Sequence, residues 1–192
     1  MLEIKQLKKI MNENLEKISK KMSYILRHEP GQLVMDTQGY VLVPELLKKL
    51  CISQRELDEI VSENDKQRFS ISKDGTKIRC NQGHSIKWIK IPMKTYDGTN
   101  LKLYHGTSKS NINSIEKKGL LPMNRTYVHL TDNINTAVET GMRYAKRKHD
   151  LVVFSVMTDE LKEEGITIYV ADNGVFQIPD KVPPTLLTIE NI

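Results

Sequence analysis

Phe69-Ser-Ile-Ser-Lys-Asp-Gly-Thr-Lys-Ile-Arg79 decides how the first half of this chain folds. Phe69 and Ile71 alternate with polar residues, Asp74-Gly75 supplies a tight turn, and Thr76-Lys77-Ile78-Arg79 resumes as a second strand. This is a β-hairpin rich in lysine and arginine. Strand alternation sets Arg79 on the face opposite Ile78, the polar and available one.

Helices precede the hairpin. Leu7, Met11, Leu15, Ile18, Met22 and Ile25 fall on one face of a 3.6-residue repeat, which predicts a helix over 2–28. Pro30-Gly31 stops it, because proline disfavours a helical residue before it. A short helix follows with Pro44 in its first turn, and another opens at Ser53, where Ser53-x-x-Glu56 has the form of a capping box. Three helices and a basic hairpin in that order resemble a winged helix, an architecture used for nucleic acids and for plain protein contacts alike.

Beyond the hairpin, Ile91-Pro-Met-Lys-Thr-Tyr-Asp-Gly-Thr-Asn100 has no periodicity and reads as a linker. Residues 1–92 then form one lobe, 93–100 the connection and 101–192 a second lobe. The second lobe is a series of short β runs at Leu103–His105, Tyr127–Leu130, Leu151–Val156, Ile166–Val170 and Val175–Ile178. Helices are expected at 110–118, closed by Gly119, and at about 133–147. The fold class is α+β rather than a doubly wound sheet.

Composition bounds the function. With 39% apolar and 28% charged residues, a chain of 192 residues can build a core without disulfides or a structural metal. No run of about 20 apolar residues is available to span a membrane, and the first residues lack an apolar signal core, so a cytoplasmic protein is expected. Cys51 and Cys80 have no metal-site spacing. Charge is lopsided: residues 1–95 carry 18 Lys+Arg against 12 Asp+Glu, net +6, and residues 96–192 carry 11 against 12, net −1. Excess cations on one lobe fit either a polyanion, nucleic acid above all, or a solvated lysine-rich helix.

Standard phosphate loops, HExxH, DxDxDG and Gly-x-Ser-x-Gly are all absent, so the sequence gives no support to Walker nucleotide binding, metal-enzyme chemistry or serine hydrolysis. Four basic clusters remain. Arg27-His28 ends the first helix, placed to clamp a phosphate or simply to complement the helix dipole. Ile78-Arg79-Cys80-Asn81-Gln82-Gly83-His84-Ser85 offers hydrogen-bond donors to an anion, or forms a surface loop. Tyr104-His105-Gly106-Thr107 ends a strand; the glycine would let a flat ligand approach the backbone and the histidine would bond a ribose hydroxyl, and His129 ends another strand. In Thr140-Gly-Met-Arg-Tyr144, Ala137, Gly141 and Ala145 form a small-residue stripe, and Arg143 lies off it, a solvated arginine or a ligand group.

As an ordered set these clusters resemble the RNA 2'-phosphotransferases of the Tpt1/KptA family. The likeness covers about residues 17–190, through LEKISKKMSYILRHEP, DTQGYVLVPELL, IRCNQGHS, LYHGT, YVHLT, TGMRY and NGVFQIPDKVPPTLL. Two departures are Phe176, where the family often has tryptophan, and the alanine after Tyr144. The resemblance implies a winged-helix-like N-terminal lobe, which binds RNA and its 2'-phosphate, and an ADP-ribosyltransferase-like C-terminal lobe, which binds NAD.

It also implies that an internal RNA 2'-phosphate, as on spliced tRNA, attacks C1″ of NAD⁺, expels nicotinamide and forms an ADP-ribosylated intermediate. Transesterification then gives 2'-OH RNA and ADP-ribose 1″,2″-cyclic phosphate, with NAD consumed as co-substrate and no metal. The family's Arg-His-Arg-Arg tetrad falls on Arg27, His28, Arg79 and Arg143, which makes them the expected catalytic residues. His28 is either acid/base or a phosphate ligand. The His-His-hydrophobic signature falls on His105, His129 and Val175, which with Gly106 and Thr107 are expected to hold NAD. The expected partner is 2'-phosphorylated RNA and the expected state a monomer. Two other functions stay open: a transferase that ADP-ribosylates terminal phosphates of RNA or DNA, and a non-enzymatic winged-helix nucleic-acid binder.

Overall fold

The computed structural model describes residues 2–64 and 67–192, with residues 2–11 as backbone alone. The chain divides into two compact units, Met1–Pro92 and Met93–Ile192. Both mix helices with small antiparallel sheets, so the architecture is α+β.

In the first unit α1 spans Leu2–Arg27. Its predicted apolar stripe holds over the described side chains: Met22 and Ile25 are buried, and Leu15 and Ile18 pack against the same core. Leu7 and Met11 lie outside the described side chains. A two-residue strand β1 (Val41–Leu42) leads into α2 (Val43–Leu50), with Pro44 in its first turn where no amide donor is needed. Next comes α3 (Gln54–Ser62), whose capping box is formed: the Glu56 amide donates to Ser53 Oγ at 3.3 Å and the Ser53 amide donates to Glu56 Oε2 at 2.8 Å.

The hairpin follows as β2 (Phe69–Ile71) and β3 (Lys77–Cys80), with Phe69 opposite Cys80 and Ser70 opposite Arg79. Asp74 holds the turn. Its Oδ1 accepts from Ser72 Oγ, from the Thr76 amide and from Thr76 Oγ1, which lowers its pKa to about 2. Strand β1 pairs on the other edge, giving the order β1-β3-β2. Met22, Leu26, Leu46, Leu57 and Ile78 are completely buried together.

The second unit begins inside the stretch expected to link the lobes. Residues Lys94–Thr95 form β4, antiparallel to β8 (Tyr169–Val170), and the Tyr96 ring packs edge-on against Phe176 at 5.3 Å. Both β4 residues are exposed, as suits an edge strand, so they carry none of the apolar alternation that marks a strand in sequence.

The remaining elements are β5 (Lys102–Ser108), α4 (Ile112–Lys118), β6 (Tyr127–Leu130), α5 (Ile134–Gly141), β7 (Leu151–Met157), α6 (Thr158–Glu163), β9 (Phe176–Pro179) and β10 (Thr188–Ile189). Strand β7 is the continuous apolar run Leu-Val-Val-Phe-Ser-Val-Met, because it is the middle of the sheet β10-β7-β5. The second sheet has the order β4-β8-β9-β6. The Tyr104 amide donates to the Thr131 carbonyl at 2.7 Å and the Thr131 amide donates back at 3.1 Å, which ties β5 to the end of β6.

Two expected elements are shorter than predicted. Helix α5 ends at Gly141 rather than near 147, and of Ile166–Val170 only Tyr169–Val170 is strand. Gly141 is a poor helix former packed directly on β5, and the Ile166 amide instead closes α6 by donating to the Leu161 carbonyl at 2.9 Å. Among the described residues no helix is long and apolar enough to cross a membrane.

Candidate functional site

Helix α1 stops where its last carbonyls find partners outside the helix. The Ser85 amide donates to the Arg27 carbonyl at 3.1 Å, and Ser85 Oγ lies 3.0 Å from His28 Nδ1. Ser85 sits at the end of the loop that leaves β3, so the chain brings IRCNQGHS back over Arg27-His28, 57 residues away in sequence. Gly83 makes the close approach possible. Its φ is +88°, and a Cβ there would lie 3.4 Å from Arg27 Nε and 3.6 Å from Cζ.

The Arg27 side chain is half-buried, and its Nε and Nη2 are inaccessible and meet no oxygen or nitrogen acceptor among the described residues. Those two N–H groups form one side edge of the guanidinium fork, the edge that grips a carboxylate or phosphate in bidentate fashion. The Arg27 charge and a side-chain hydrogen bond from Arg27 favour the Cys80 thiolate, yet burial dominates and raises its pKa to about 11, so it is a neutral thiol.

Arg79 corrects the alternation argument. It is 5% exposed rather than available on an open polar face. Strand β3 is the middle strand of its sheet, and the face opposite Ile78 is roofed by the turn Asp36–Tyr40 and by the loop that follows β3. The Arg79 guanidinium lies 4.7 Å from the centre of the Tyr40 ring, and its Nη1 donates a long 3.5 Å bond to the Gln38 carbonyl. A planar cation stacked on an aromatic ring fixes the direction of the remaining N–H groups.

His84, which the sequence pattern does not mark as a site residue, belongs to this cluster. It is 5% exposed, and its pKa falls to about 4, first through burial and then through the charges of Arg27, His28 and Arg79. Two arginines and a second histidine therefore lie close enough to one buried imidazole to keep it neutral. The sequence signal was the departure from core-forming residue types in Asn-Gln-Gly-His-Ser; the alternation rule has no means of showing that the loop folds back.

In the second unit, His105 Nδ1 lies 3.1 Å from the His129 carbonyl. A carbonyl only accepts, so Nδ1 carries the proton and Nε2 presents a lone pair. Burial lowers the His105 pKa, the His129 carbonyl opposes that shift, and Arg125 adds to it. Thr107 is buried, with Oγ1 accepting from Asn111 Nδ2 at 2.9 Å. Gly106 has a different use from the one expected. The space its Cβ would fill is occupied by the Ala137 carbonyl oxygen, 1.8 Å from that position, so the glycine seats α5 on β5 and no ligand approaches from that side.

Gln177 was also missed. It stands opposite His129 and Tyr169 in the sheet, is 2% exposed, and its Nε2 has no partner among the described residues. Val175 is half-buried in the turn between β8 and β9, where its carbonyl accepts from the Ala171 amide. Arg27, His28 and Arg79 lie in the first unit; Arg143 lies in the second, exposed just past the end of α5.

A family model described as RNA 2'-phosphotransferase, Tpt1/KptA family, matches residues 13–179. A Trichormus variabilis protein named probable RNA 2'-phosphotransferase is 42% identical over 182 residues, covering 91% of this chain and 96% of that protein. Proteins of the same name from Burkholderia pseudomallei and Flavobacterium johnsoniae are 39% and 36% identical, covering 84% and 94% of this chain and 89% and 100% of their own lengths.

Proposed function

The chain belongs to the RNA 2'-phosphotransferase, Tpt1/KptA family, and from that premise we propose that it removes an internal 2'-phosphate from RNA, as on spliced tRNA, with NAD⁺ as co-substrate. Nicotinamide, 2'-OH RNA and ADP-ribose 1″,2″-cyclic phosphate are the products. The observation that carries this reading is the side edge of Arg27, which meets no oxygen or nitrogen acceptor among the described residues, beside His28, Arg79 and His84. Buried N–H donors left unpaired are costly, so a cluster built around them suits an anion.

In this reading the first unit is winged-helix-like and holds the RNA. Arg27 takes two phosphate oxygens through Nε and Nη2, and Arg79, stiffened by Tyr40, faces the developing charge. His28, oriented by Ser85, hydrogen-bonds the same group. A phosphate dianion is already a nucleophile, so these residues position it and need not deprotonate it. As the RNA 2'-oxygen departs, negative charge builds on the nonbridging oxygens, and fixed guanidinium groups stabilise it without reorganising. Arg143 is assigned to that charge as well.

The second unit is read as ADP-ribosyltransferase-like. His105, with its Nε2 lone pair, suits a ribose hydroxyl, and the unpartnered Gln177 amide supports a polar ligand nearby. His129, Val175 and Thr107 complete the proposed dinucleotide set. NAD⁺, when bound, supplies an electrophilic ribose carbon with nicotinamide as its leaving group. Incubating the protein with NAD⁺ and a 2'-phosphorylated oligoribonucleotide tests the proposal. Nicotinamide release that depends on the 2'-phosphate, with 2'-OH RNA and free cyclic phosphate as products, is expected. A persistent ADP-ribosylated product would mean the terminal-phosphate reaction instead, and binding without NAD⁺ consumption would mean a plain nucleic-acid binder.

A further inference from the structure

Three residues beyond Ser85 stands Trp88, the single tryptophan in the chain, and its side chain is 50% exposed. A lone surface apolar residue needs no explanation by itself. This one is held in a particular place. The Ile89 amide donates to the Ile86 carbonyl at 3.3 Å, making a turn with Trp88 at its tip, and the Lys90 amide donates to the Thr37 carbonyl at 2.8 Å. Thr37 belongs to the turn whose Gln38 carbonyl accepts from Arg79. Ile89, next in sequence, is buried as the anchor. The backbone of the Trp88 loop is therefore tied at one end to Arg27, through the Ser85 amide, and at the other to Thr37, beside the Gln38 carbonyl that Arg79 reaches. Its Cα lies within about 11 Å of that of Ser85, the reach of three extended residues. Exposed Lys87 and Lys90 flank it, on the half of the chain that carries net +6.

We propose that Trp88 is a stacking platform for the nucleobase next to the 2'-phosphorylated nucleotide, with Lys87 and Lys90 set for the adjoining phosphodiesters. A flat π surface between cations beside a phosphate site has the chemistry of single-stranded RNA, whose unpaired bases stack on aromatic rings while lysines follow the backbone. Stacking tolerates any base, so this contact adds affinity at a splice junction without demanding a sequence. The proposal rests on the function proposed above, and its test separates the two.

Because Trp88 is the sole tryptophan, its emission reports the contact directly. The full chain, without NAD⁺, is titrated with a 2'-phosphorylated oligoribonucleotide carrying a distal fluorophore, while tryptophan emission and fluorophore anisotropy are read together. Expected are saturable quenching of Trp88 along the anisotropy curve, and binding without quenching when the flanking nucleotides are abasic. Trp88→Ala should weaken binding about ten-fold and Trp88→Phe should restore most of it. Binding by anisotropy with unchanged emission, or equal affinity in Trp88→Ala, overturns the stacking role and leaves the enzyme function standing. No binding of the 2'-phosphorylated strand at all overturns both.

Discussion

His84 gives the sharpest test of the anion cluster, because its neutrality is a consequence of its surroundings. The perturbation is acid. An unfolded histidine titrates near 6.5, and burial together with Arg27, His28 and Arg79 holds folded His84 at about 4. As pH falls the unfolded chain takes up this proton first, so the contribution of His84 to stability is complete above 6.5. It is lost progressively between 6.5 and 4. Two and a half units correspond to about 3 kcal/mol.

Asp74 and Glu56, whose pKa values are also lowered, titrate at the acid end of this window and below it. The comparison that isolates His84 is wild type against His84→Gln, which keeps a hydrogen-bonding side chain and removes the proton site. Urea unfolding followed by Trp88 emission reports the first unit. Between neutral pH and pH 4 the wild type should lose about 3 kcal/mol more than the variant. A 2'-phosphorylated oligonucleotide should offset the cations and move the His84 midpoint upward, measurable by imidazole NMR. Identical pH dependence in wild type and His84→Gln would show that Arg27, His28 and Arg79 do not surround this ring, and the cluster would fail with it.

Arg27→Lys retains the charge and discards the bidentate edge, so single-turnover 2'-phosphate release should slow by about 10²–10³; an undiminished rate would reject the assignment of Nε and Nη2. Gly106→Ala would set a methyl 1.8 Å from the Ala137 carbonyl oxygen and 2.9 Å from the Gly141 nitrogen, both backbone atoms that cannot rotate aside. That overpacking should cost about 3 kcal/mol and lower the melting of the second unit by on the order of 10 °C in calorimetry; an unchanged melt would mean α5 does not seat on β5. Ser53→Ala removes the cap of α3 and should cost about 1 kcal/mol in the urea midpoint of the first unit, with phosphate release unaffected.

What the sequence disclosed was local. The capping box at Ser53, proline in the first turn of α2 and the Asp74-Gly75 turn each depend on residues within four positions, and each is formed. The apolar run of β7 was legible because a central strand is buried on both faces. The shortest strands were not: β1, β4, β8 and β10 have two residues each, and their pairing is decided by partners far along the chain. The same limit hid the site. Alternation placed Arg79 on a polar face, and only the fold-back of residues 81–85 shows that this face is roofed. Gly106 signalled close approach correctly, but the approaching backbone is that of α5.

The two histidines of the cluster divide the work by exposure. His28 is exposed at the helix end and has Ser85 on Nδ1, so its ring edge is steered while its surroundings stay wet. His84 is buried and neutral through the physiological range, able to accept or donate a hydrogen bond but not to supply charge. Permanent positive charge then rests on arginine, which does not titrate in that range. A site arranged this way should hold an anion with little dependence on pH above about 6.5, and lose order below it as His84 is forced to share a pocket of cations. Phosphate release measured across that range should therefore fall on the acid side together with first-unit stability. An acid limb that survives in His84→Gln with first-unit stability intact would assign the titrating group to His28 instead.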